Sequence, residues 1–502
     1  MSQSKQIRPQ YAESFRCIGS ACEDTCCQGW NVPIDRDTFA SYLNLPASPL
    51  RAQIVASIQP APAKEGDRCA DLANGASGFD RPGGPGPGSF ATIQMNAAKQ
   101  CPLLSEDRLC RIHAELGEEF LSRACTTYPR IVYAVEGVEE RVLALSCPEA
   151  ARLVLLSPDL LAPVERPAAR AGGNRQTPVA QPENGAPLGS SAWGEGGQPL
   201  LPWFWTIREM AVTLVRNRAY LLWQRLFLLG VFCKRLNSIA KGELKRSVPA
   251  FLGDFEASVA SGGLRAAMES LPLDNAAQLD AVLRLAGMML HRANVGARFE
   301  ECAAAFSAGI GNGPGATLES LAAHYAAAHD RYYEPFMRRS PHIVENYLIN
   351  TIFRGQFPFG REGMRPGAEP SLTREYALLT AQFALMKGLL IGVAGFHREA
   401  FSSFHAVHTV QAASKHFEHH PEFLSMAHSL LVESGLDGAR GLAILLRNSA
   451  PGGASGEARP ASPGRRAPGP QDGRWASTPH PAQAPGPRLQ APPPHPHGEE
   501  LG

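Results

Sequence analysis

Cysteine is the residue type whose number and spacing in this sequence suit chemistry, because nine of the eleven cysteines lie in the first 150 residues. Residues 17 to 27 read CIGSACEDTCC and contain Cys17, Cys22, Cys26 and Cys27. Thiolates are soft ligands that suit zinc, iron and iron–sulfur clusters. Local ligand pairs are usually separated by about two to four residues, because a tight turn then points both sulfurs the same way. The spacing therefore predicts one part of a metal site.

The adjacent pair Cys26 and Cys27 raises a geometric question. Side chains of neighbouring residues point apart in extended backbone. Both thiols reach one small centre only through a turn; otherwise they serve two centres, or one of them is structural. A radical S-adenosylmethionine site is excluded here, because its Cys-x3-Cys-x2-Cys motif needs a cysteine where this sequence has Gly29.

A second group of cysteines lies in CPLLSEDRLCRIHAELGEEFLSRACTTYPR, which contains Cys101, Cys110 and Cys125. Residues 111 to 123 have the apolar periodicity of a helix. A straight helix over them would be about 20 Å long and would separate Cys110 from Cys125. Gly117 is the position where that helix can break and bring the two thiols together, because glycine is a poor helix former.

The remaining cysteines comprise one candidate ligand and three isolated residues. Cys147 follows a predicted strand and precedes Pro148, as a cysteine does at the end of some cluster-binding runs. Cys69, Cys233 and Cys302 are isolated in the sequence, and small buried hydrophobic side chains are favoured for each. At least four of the other eight cysteines are expected to bind metal, and these candidates are Cys17, Cys22, Cys26, Cys27, Cys101, Cys110, Cys125 and Cys147.

The first residues of the chain bear on the chemical state of these thiols. MSQSKQIRPQYAESF contains neither the apolar segment of a secretory signal nor a small-residue cleavage site. We therefore expect a cytoplasmic location. Thiols stay reduced there, so clustered cysteines more commonly bind metal than form disulfides. Buried inert thiols are the main alternative.

The charge balance and the apolar segments argue against nucleic acid and membrane as partners. Lys and Arg number 48 and Asp and Glu number 47, so the net charge does not attract polyanions. Arg208, Glu209 and Arg216 interrupt the most apolar segment, residues 200 to 233. It lacks the run of roughly 18 uncharged apolar residues that a membrane span needs. We expect one or two helices packed in a soluble core there.

Composition divides the chain into four regions and predicts a mainly α fold. Residues 1–162 form a cysteine-rich metal-binding module, hereafter the cysteine module, in which GGPGPGS at 83–89 is typical of a loop. Residues 163–200 are rich in Pro and Gly and predict a flexible linker. Residues 201–447 have helical periodicity and predict a helical domain, hereafter the helical body. Residues 448–502 lack the apolar content for a core and predict a disordered, Pro-rich tail.

Several segments resemble the flagellin lysine-N-methylase family. They extend from about residue 10 to about residue 425, and the C-terminal ones agree with the family in order. The middle also resembles a broader CxxCC group that chelates zinc or iron. The segments are YAESFRCIGSACEDTCCQGWNVPID, the second cysteine group, LALSCPEAARL, ENYLINTIFRGQFPF, EYALLTAQFALMKGLLIG and VQAASKHFEHHPEFL.

The resemblance implies an enzyme that uses S-adenosylmethionine (SAM) to methylate lysine ε-amino groups of flagellin in the cytoplasm before export. Flagellin would then be the protein partner. The resemblance also implies a metal centre, either an iron–sulfur cluster of the four-iron four-sulfur type or zinc. That centre would be held by the eight candidate cysteines named above.

Methyl transfer to lysine requires a SAM-binding site and removal of a proton from the lysine, and no known motif in the sequence identifies the SAM-binding site. The amine has an ordinary pKa of about 10.4, so the site must desolvate it or accept its proton. A Rossmann-type SAM site would need a strand, a Gly-rich turn and a ribose-binding acid. The Gly-rich AGIGNGPGAT at 308–317 lies between helical patterns, so we predict a helix–helix loop there.

A polar stripe in RSPHIVENYLINTIFRGQFPF is the first candidate for the missing site. Residues three to four apart share one helical face, so several of these polar side chains would line one surface. A solvated face or an internal hydrogen-bond network is the favoured alternative. The candidates are His342, Glu345 and Tyr347 for catalysis, and Asn346, Asn350 and Arg354 for cofactor binding.

The second polar group is SKHFEHHPEF, which contains Lys415, His416, Glu418, His419 and His420. His416 and His420 are four residues apart, which suits a metal-binding pair on a helix. Histidines at a helix end before a proline are the slightly favoured alternative. If the helical body does not bind SAM, the alternative function is a metal-binding, electron-transfer or accessory protein without methyltransferase activity.

Overall fold

The computed structural model describes residues 9–28, 32–60, 90–135, 138–162, 200–239, 243–290, 296–364, 371–420 and 422–448. The chain divides into two units, Met1–Asn448 and Ser449–Gly502, and every described residue belongs to the first. Outside the described residues lie Gly29, Cys69, the loop predicted at 83–89, residues 163–199 of the predicted linker and residues 449–502 of the predicted tail.

The cysteine module combines short helices with two small antiparallel sheets. Strand β3 lies between β1 and β2 in the first sheet, and β4 pairs with β5 in the second, where Arg130 is opposite Leu143. Its elements are β1 Val32–Ile34, α1 Arg36–Leu43, α2 Pro49–Ser57, β2 Ile58–Pro60, β3 Ala91–Ile93, α3 Arg111–Leu116, α4 Arg123–Thr127, β4 Arg130–Val135, β5 Val138–Leu143 and α5 Pro148–Leu155. Single 3-10 turns occur at Tyr11–Ser14, Gly19–Ala21 and Glu118–Phe120.

The described part of the helical body consists of helices. They are α6 Phe204–Arg216, α7 Leu222–Asn237, α8 Leu244–Ala260, α9 Arg265–Glu269, α10 Asn275–Leu290, α11 Ala297–Gly309, α12 Leu318–Ala328, α13 Glu334–Arg339, α14 His342–Arg354, α15 Gly360–Gly363, α16 Leu372–His397, α17 Ser403–Phe417, α18 Phe423–Glu433 and α19 Ala439–Leu446. A π-helical turn, His329–Tyr333, joins α12 to α13, and 3-10 turns occur at Leu201–Trp203 and Arg398–Ala400.

The prediction of a mainly α fold is confirmed, and two local expectations agree with it. The apolar segment 200–233 forms α6 and most of α7, as two packed helices. The Gly-rich stretch 308–317 joins the end of α11 to the start of α12, so it is the predicted helix–helix loop.

Helix α16 is the centre of the helical body. Together with the 3-10 turn that follows it, α16 forms a helical segment, Leu372–Ala400, that is long and apolar enough to cross a membrane by composition, yet its most apolar part is wholly buried in the protein. Two glycines permit this close packing. A Cβ added at Gly388 would collide with Val282, and one added at Gly392 would collide with Phe306. The polar residues near α16 and α17 are therefore held on a rigid scaffold.

Apolar side chains form two cores, and the cysteine module contributes to both. The small core consists of Val32, Ile34, Tyr42, Leu50, Ile54, Ala91, Ile93, Cys101, Leu103 and Ile112. The large core fills the helical body and extends into the module through Tyr11, Phe15, Leu145, Cys147 and one face of α5. The module therefore divides between its own core and a packed boundary with the helical body.

Candidate functional site

Four of the eight candidate ligands meet at the small core: Cys101 is part of it, and Cys27, Cys110 and Cys125 pack against it. The backbone amide of Cys101 donates to the carbonyl of Cys27 at 2.8 Å, which joins the two cysteine-rich segments directly. Gly117 adopts φ +103° and ends α3, so the chain turns and α4 returns Cys125 to the core that Cys110 borders. The predicted break at Gly117 is confirmed.

At the small core Cys101 is buried and Cys27, Cys110 and Cys125 are partly buried, and the thiols are close enough to influence one another's pKa. Burial raises the pKa of Cys101 to about 11, and the neighbouring thiols of Cys110 and Cys26 raise it further. Burial raises the pKa of Cys125 to about 12, again with contributions from nearby thiols. Cys110 directly precedes α3, and the backbone amides of Ile112 and His113 partly oppose the rise in its pKa that burial causes. Such amide donors favour the thiolate form that binds metal.

The other candidate ligands lie nearer to the helical body. Cys147 caps the N-terminus of α5, where Pro148 starts the helix as predicted, and it belongs to the large core. Burial raises its pKa to about 12, and the thiols of Cys22 and Cys26 add to that shift. Cys17 lies in an exposed stretch, where its sulfur accepts a hydrogen bond from the Gly19 amide at 3.4 Å.

Cys26 and Cys27 are in different electrostatic situations although they are adjacent. A hydrogen bond from the Cys27 thiol lowers the pKa of Cys26 to about 7, and the ammonium of Lys415 contributes in the same direction. The same hydrogen bond, together with burial, raises the pKa of Cys27. Cys27 packs against the small core, whereas the electrostatic influence of Cys26 extends to Cys147 as well.

The candidate cysteines are chemically suitable metal ligands, but the structure does not arrange them as a metal site. Cysteine thiolates are the usual ligands of structural zinc and of iron–sulfur clusters. A zinc site needs four ligands around one point, with sulfurs about 2.3 Å from the metal. Within the described residues, no three His, Cys, Asp or Glu side chains form a group ready to hold a metal ion. The metal-ligand role of the eight cysteines stays a prediction.

A line of polar side chains crosses the boundary between the cysteine module and the helical body, and we call this line the seam. Helix α17 and the residue after it supply one wall, with Gln411, Lys415 and Glu418 spaced along one helical face. The loop that joins β5 to α5 and the Cys22–Cys27 loop supply the other. The seam consists of Asp24, Tyr128, Ser146, Arg354, Gln411, Lys415, Glu418 and His419.

Glu418 is the most deeply buried acid of the seam. Its side chain is 3% exposed, and its Oε1 lies 3.3 Å from Nε of Arg354, whose side chain is 10% exposed. The amide of Ser146 donates to its Oε2 at 3.4 Å. Burial raises the pKa of Glu418 above its ordinary value, although Arg354 and the Ser146 amide oppose the shift. This carboxyl therefore holds a proton more readily than an exposed glutamate.

A hydrogen-bond chain lies beside Glu418. The Tyr128 hydroxyl is 3.0 Å from Oγ of Ser146, and that oxygen is 2.8 Å from Nε2 of His419. Burial raises the pKa of Tyr128 well above its ordinary value, and Cys147 is the next contributor. Ser146 thus connects a tyrosine, a histidine and a glutamate directly before Cys147. The seam contains groups able to accept, hold and pass a proton.

Charged groups continue the seam beyond Asp24. Arg152 on α5 contacts Glu23 at 2.5 Å and Glu149 at 2.8 Å. Nε of Arg298 on α11 donates to Oε1 of Gln411 at 2.8 Å. Burial lowers the pKa of His408 to about 4, and Arg298 lowers it further. His408 is therefore neutral at pH 7.

The structure places the predicted polar stripe of α14 in internal contacts. Glu345 is buried and binds two cations, Arg218 at 3.0 Å and Arg225 at 2.9 Å. The Tyr347 hydroxyl donates to the carbonyl of Gln382 at 3.4 Å. His342 is half-buried at the start of the helix, and burial lowers its pKa. The catalytic roles of His342, Glu345 and Tyr347 stay predictions.

The residues predicted to bind the cofactor also face protein groups. Asn346 donates to the carbonyls of Val154 and Ser157 at 2.9 and 2.7 Å. Asn350 accepts from the Tyr11 hydroxyl at 2.6 Å and donates to the carbonyl of Leu143 at 3.1 Å. Both amides attach α14 to the cysteine module. Their cofactor-binding role stays a prediction.

Arg354, the last residue of the stripe, reaches the seam instead. It pairs with Glu418, and its guanidinium lies 6.0 Å from the centre of the Phe417 ring. In the second polar group, the His416 ring packs on Phe299 at 4.6 Å, and its Nε2 accepts from the Gly296 amide. The two polar groups of the sequence therefore meet through Arg354 and Glu418.

Sequence reasoning missed the half of the seam that the module supplies. Tyr128, Ser146 and Asp24 lie close to cysteines in the sequence, and the cysteine spacing is the stronger signal there. One signal was present for Asp24, because a carboxylate between closely spaced cysteines needs a cation or solvent. Ser146 and Tyr128 carry no such signal, since a lone hydroxyl residue has many ordinary uses.

Comparisons with known proteins bear on the class of this molecule. Residues 208–445 match the FliB lysine N-methylase C-terminal domain, which spans most of the helical body. The lysine-N-methylases of Salmonella typhimurium and Salmonella choleraesuis are each 30% identical over 167 residues, which is 33% of this chain and 36% of the relative. The flagellar biosynthetic protein FliU of Salmonella muenchen is 30% identical over 163 residues, which is 32% of this chain and 83% of that protein. No solved structure matches the chain.

The fold and the seam define a mainly helical protein whose cysteine module is joined to a helical body by buried polar contacts. The comparisons name the class: the chain belongs to the flagellin lysine-N-methylase family. The resemblance to this family is confirmed, and the resemblance of the cysteine-containing segments to a zinc- or iron-chelating group stays a prediction. The chain spans about a third of the length of the two lysine-N-methylases it matches.

Proposed function

We propose that this protein transfers a methyl group from SAM to lysine ε-amino groups, with flagellin as the substrate and the cytoplasm as the place of reaction. Membership of the family supports the reaction, and the names of its relatives support a flagellar protein as the substrate. One observation supports the seam as the site of this reaction. The stretch that matches the family domain, 208–445, supplies Arg354, Gln411, Lys415 and Glu418 to the seam.

The proposed chemistry starts with a lysine ammonium, which must lose a proton before its nitrogen can attack. The amine lone pair then forms the N–C bond to the methyl carbon, and the C–S bond breaks with its electron pair staying on sulfur. The product sulfur is a neutral thioether. We assign the proton acceptor to Glu418, because burial raises the proton affinity of this carboxyl toward that of an amine.

Among the acids, Glu418 suits this role better than Glu345. Glu345 forms ion pairs with Arg218 and Arg225, which engage both oxygens of its carboxylate. Glu418 forms an ion pair with Arg354 at 3.3 Å, and its carboxylate accepts from the backbone amide of Ser146, whose hydroxyl lies between Tyr128 and His419. The carboxylate of Glu345 is thus occupied by two guanidinium groups, whereas that of Glu418 is paired with Arg354 at Oε1.

A metal centre is part of the proposal. Cys27, Cys101, Cys110 and Cys125 are its proposed ligands, because all four thiols lie in or against the small core. Zinc or a four-iron four-sulfur cluster would stabilise the fold there. No step of the methyl transfer is assigned to this centre.

A radiolabel assay tests the function. Purified full-length protein, with its metal retained, is incubated with methyl-labelled SAM and unmodified flagellin. We expect label on flagellin lysines, and Glu418→Gln should lower kcat about 100-fold or more through loss of the proton acceptor. Glu422→Gln, a change of an exposed glutamate close by, is the matched control and should leave kcat unchanged. Absence of both transfer and SAM binding would sink the proposal.

The second candidate function is a metal-binding or electron-transfer module without methyl transfer. The small core favours it, because Cys27, Cys101, Cys110 and Cys125 all lie outside the matched stretch 208–445. Metal analysis and the visible absorption spectrum separate the alternatives. A coloured, redox-active protein that does not bind SAM would support this second function.

A further inference from the structure

The loop between Cys22 and Cys27 contains two carboxylates, Glu23 and Asp24, that the proposed methyl transfer does not use. Asp24 is nearly buried, with 11% of its side chain exposed. Nζ of Lys415 lies 2.9 Å from each of its carboxylate oxygens and 3.1 Å from the carbonyl oxygen of Thr25. A single ammonium thus binds the side chain and the backbone of the loop.

A second side chain of α17, that of Gln411, connects the Cys22–Cys27 loop to the residues before α5. Nε2 of Gln411 donates to Oδ2 of Asp24 at 2.9 Å and to the carbonyl of Ser146 at 2.8 Å. Ser146 directly precedes Cys147. The amide of Gln411 therefore joins the loop to the N-terminus of α5, where the buried Cys147 thiol lies.

Glu23 binds different cations on different helices. Nη1 of Arg152 on α5 lies 2.5 Å from its Oε1, and Nη2 of Arg298 on α11 lies 4.0 Å from the same oxygen. The Glu23 side chain is 34% exposed, whereas the Asp24 side chain is 11% exposed. Exposed ion pairs contribute little, so the Asp24 contacts are the stronger hold.

We infer that Lys415 and Asp24 form a latch, a positioning pair that holds the Cys22–Cys27 loop over Cys147 and shields that thiol from solvent. The latch rests on the proposed function in one respect: the seam, to which the latch belongs, is the proposed active site. Without Lys415, Asp24 becomes a nearly buried carboxylate without its ammonium partner. Its desolvation then favours the open loop, because an unpaired buried charge is costly. The latch explains why a carboxylate stands between two cysteines.

Thiol alkylation in the full-length protein tests the latch. The protein as isolated is treated with N-ethylmaleimide at one fixed pH, and the rate at each cysteine is mapped by mass spectrometry. In Lys415→Met the rate at Cys147 should rise about tenfold, the increase in open loop that corresponds to about 1.4 kcal/mol. Asp24→Asn should raise it as well, and Lys415→Arg should stay near the wild-type rate because it keeps the ion pair. Lys234→Met, on an exposed part of α7, is the control.

Two other cysteines are internal controls that distinguish loop opening from general unfolding as the cause of faster alkylation. Cys233 is 0% exposed in the large core, and Cys125 packs against the small core, so neither should change its rate if only the loop opens. Amide hydrogen exchange over residues 22–28 should quicken in the same variants. The double variant Lys415→Met/Asp24→Asn should exceed neither single variant by much, because both remove one interaction.

Several results would overturn the latch. An unchanged rate at Cys147 in Lys415→Met and Asp24→Asn would do so, whatever the amide exchange shows. An equal rise at Cys233 would also do so, because the variant would then have unfolded the body. These measurements need neither SAM nor flagellin. A failed latch therefore leaves the methyltransferase proposal standing, and a failed transfer assay leaves the latch standing.

Discussion

Thiols of the cysteine module lie at the small core and beside the seam, and their surroundings in the two places differ. In the small core, Cys101 and Cys125 lie among aliphatic side chains, and their pKa values are raised by burial. At the seam, Cys26 lies near Lys415, and Cys147 follows a serine bonded to a histidine. An apolar shell suits a closed structural centre, whereas a charged boundary between two parts of the chain suits chemistry in which charge changes.

The sharpest test of this difference is the metal content of two cysteine variants. Cys125→Ser should lose most of the bound zinc or iron, because it removes a thiolate from the small core. Cys17→Ser, in an exposed stretch, is the matched control and should retain the wild-type content. Metal per chain, measured by mass spectrometry after gel filtration, gives the answer. Equal loss in both variants would mean that the small core is not the centre.

Removal of the cation from the seam should have the next largest effect. Arg354→Met leaves Glu418 buried without its ion-pair partner and should lower the free energy of unfolding by about 3–5 kcal/mol. Urea denaturation measures the change. The double variant Arg354→Met/Glu418→Gln should recover much of the loss, because the second change removes the unpaired charge. Arg338→Met breaks an exposed pair with Glu334 and should cost less than about 1 kcal/mol. A similar cost for Arg338→Met and Arg354→Met would contradict the burial argument.

The pH dependence of stability should show the titration of His408, a histidine of α17 near the seam. The pKa of His408 is about 4 in the folded protein and about 6.5 when unfolded. The unfolded chain thus binds more protons between these values, and stability rises with pH across that window. His408→Gln should remove on the order of 2 kcal/mol of this rise. His324→Gln, at an exposed histidine, should leave the slope unchanged, and unfolding curves from pH 4 to 7 compare the two.

The smallest effect concerns the small core. The Tyr42 hydroxyl donates to the carbonyl of Phe120 at 2.7 Å, one of the few polar contacts of that core. Tyr42→Phe should lower the free energy of unfolding by about 1 kcal/mol and leave the metal content unchanged. Metal loss in this variant would show that the hydroxyl helps to arrange the thiols.

Much of the local structure followed from the sequence. Gly117 ends α3 because glycine alone takes its φ of +103° without strain, and Pro148 starts α5 because its fixed φ suits a first helical turn. The helices of the body followed from the 3.6-residue apolar period. These features depend on residues close together in the chain, so a window of sequence contains the information.

The seam could not be predicted in the same way. Ser146 and Glu418 are 272 positions apart, and Asp24 and Lys415 are 391 positions apart. No local period records such pairs. The sequence had marked Lys415 and Glu418 as members of a polar group, but their partners in the cysteine module were hidden among the thiols. Arg354, predicted as a cofactor ligand, is an ion-pair partner in the structure.

The sequence by itself determined the family, the mainly α fold and the concentration of thiols near the N-terminus, because composition, period and motif are properties of the chain. The tertiary structure decided how those thiols divide, with Cys27 packed against the small core and Cys26 near Lys415 at the seam. It also brought a buried glutamate of the helical body against the serine before Cys147. The physical reason is that burial and charge pairing depend on which distant elements pack together.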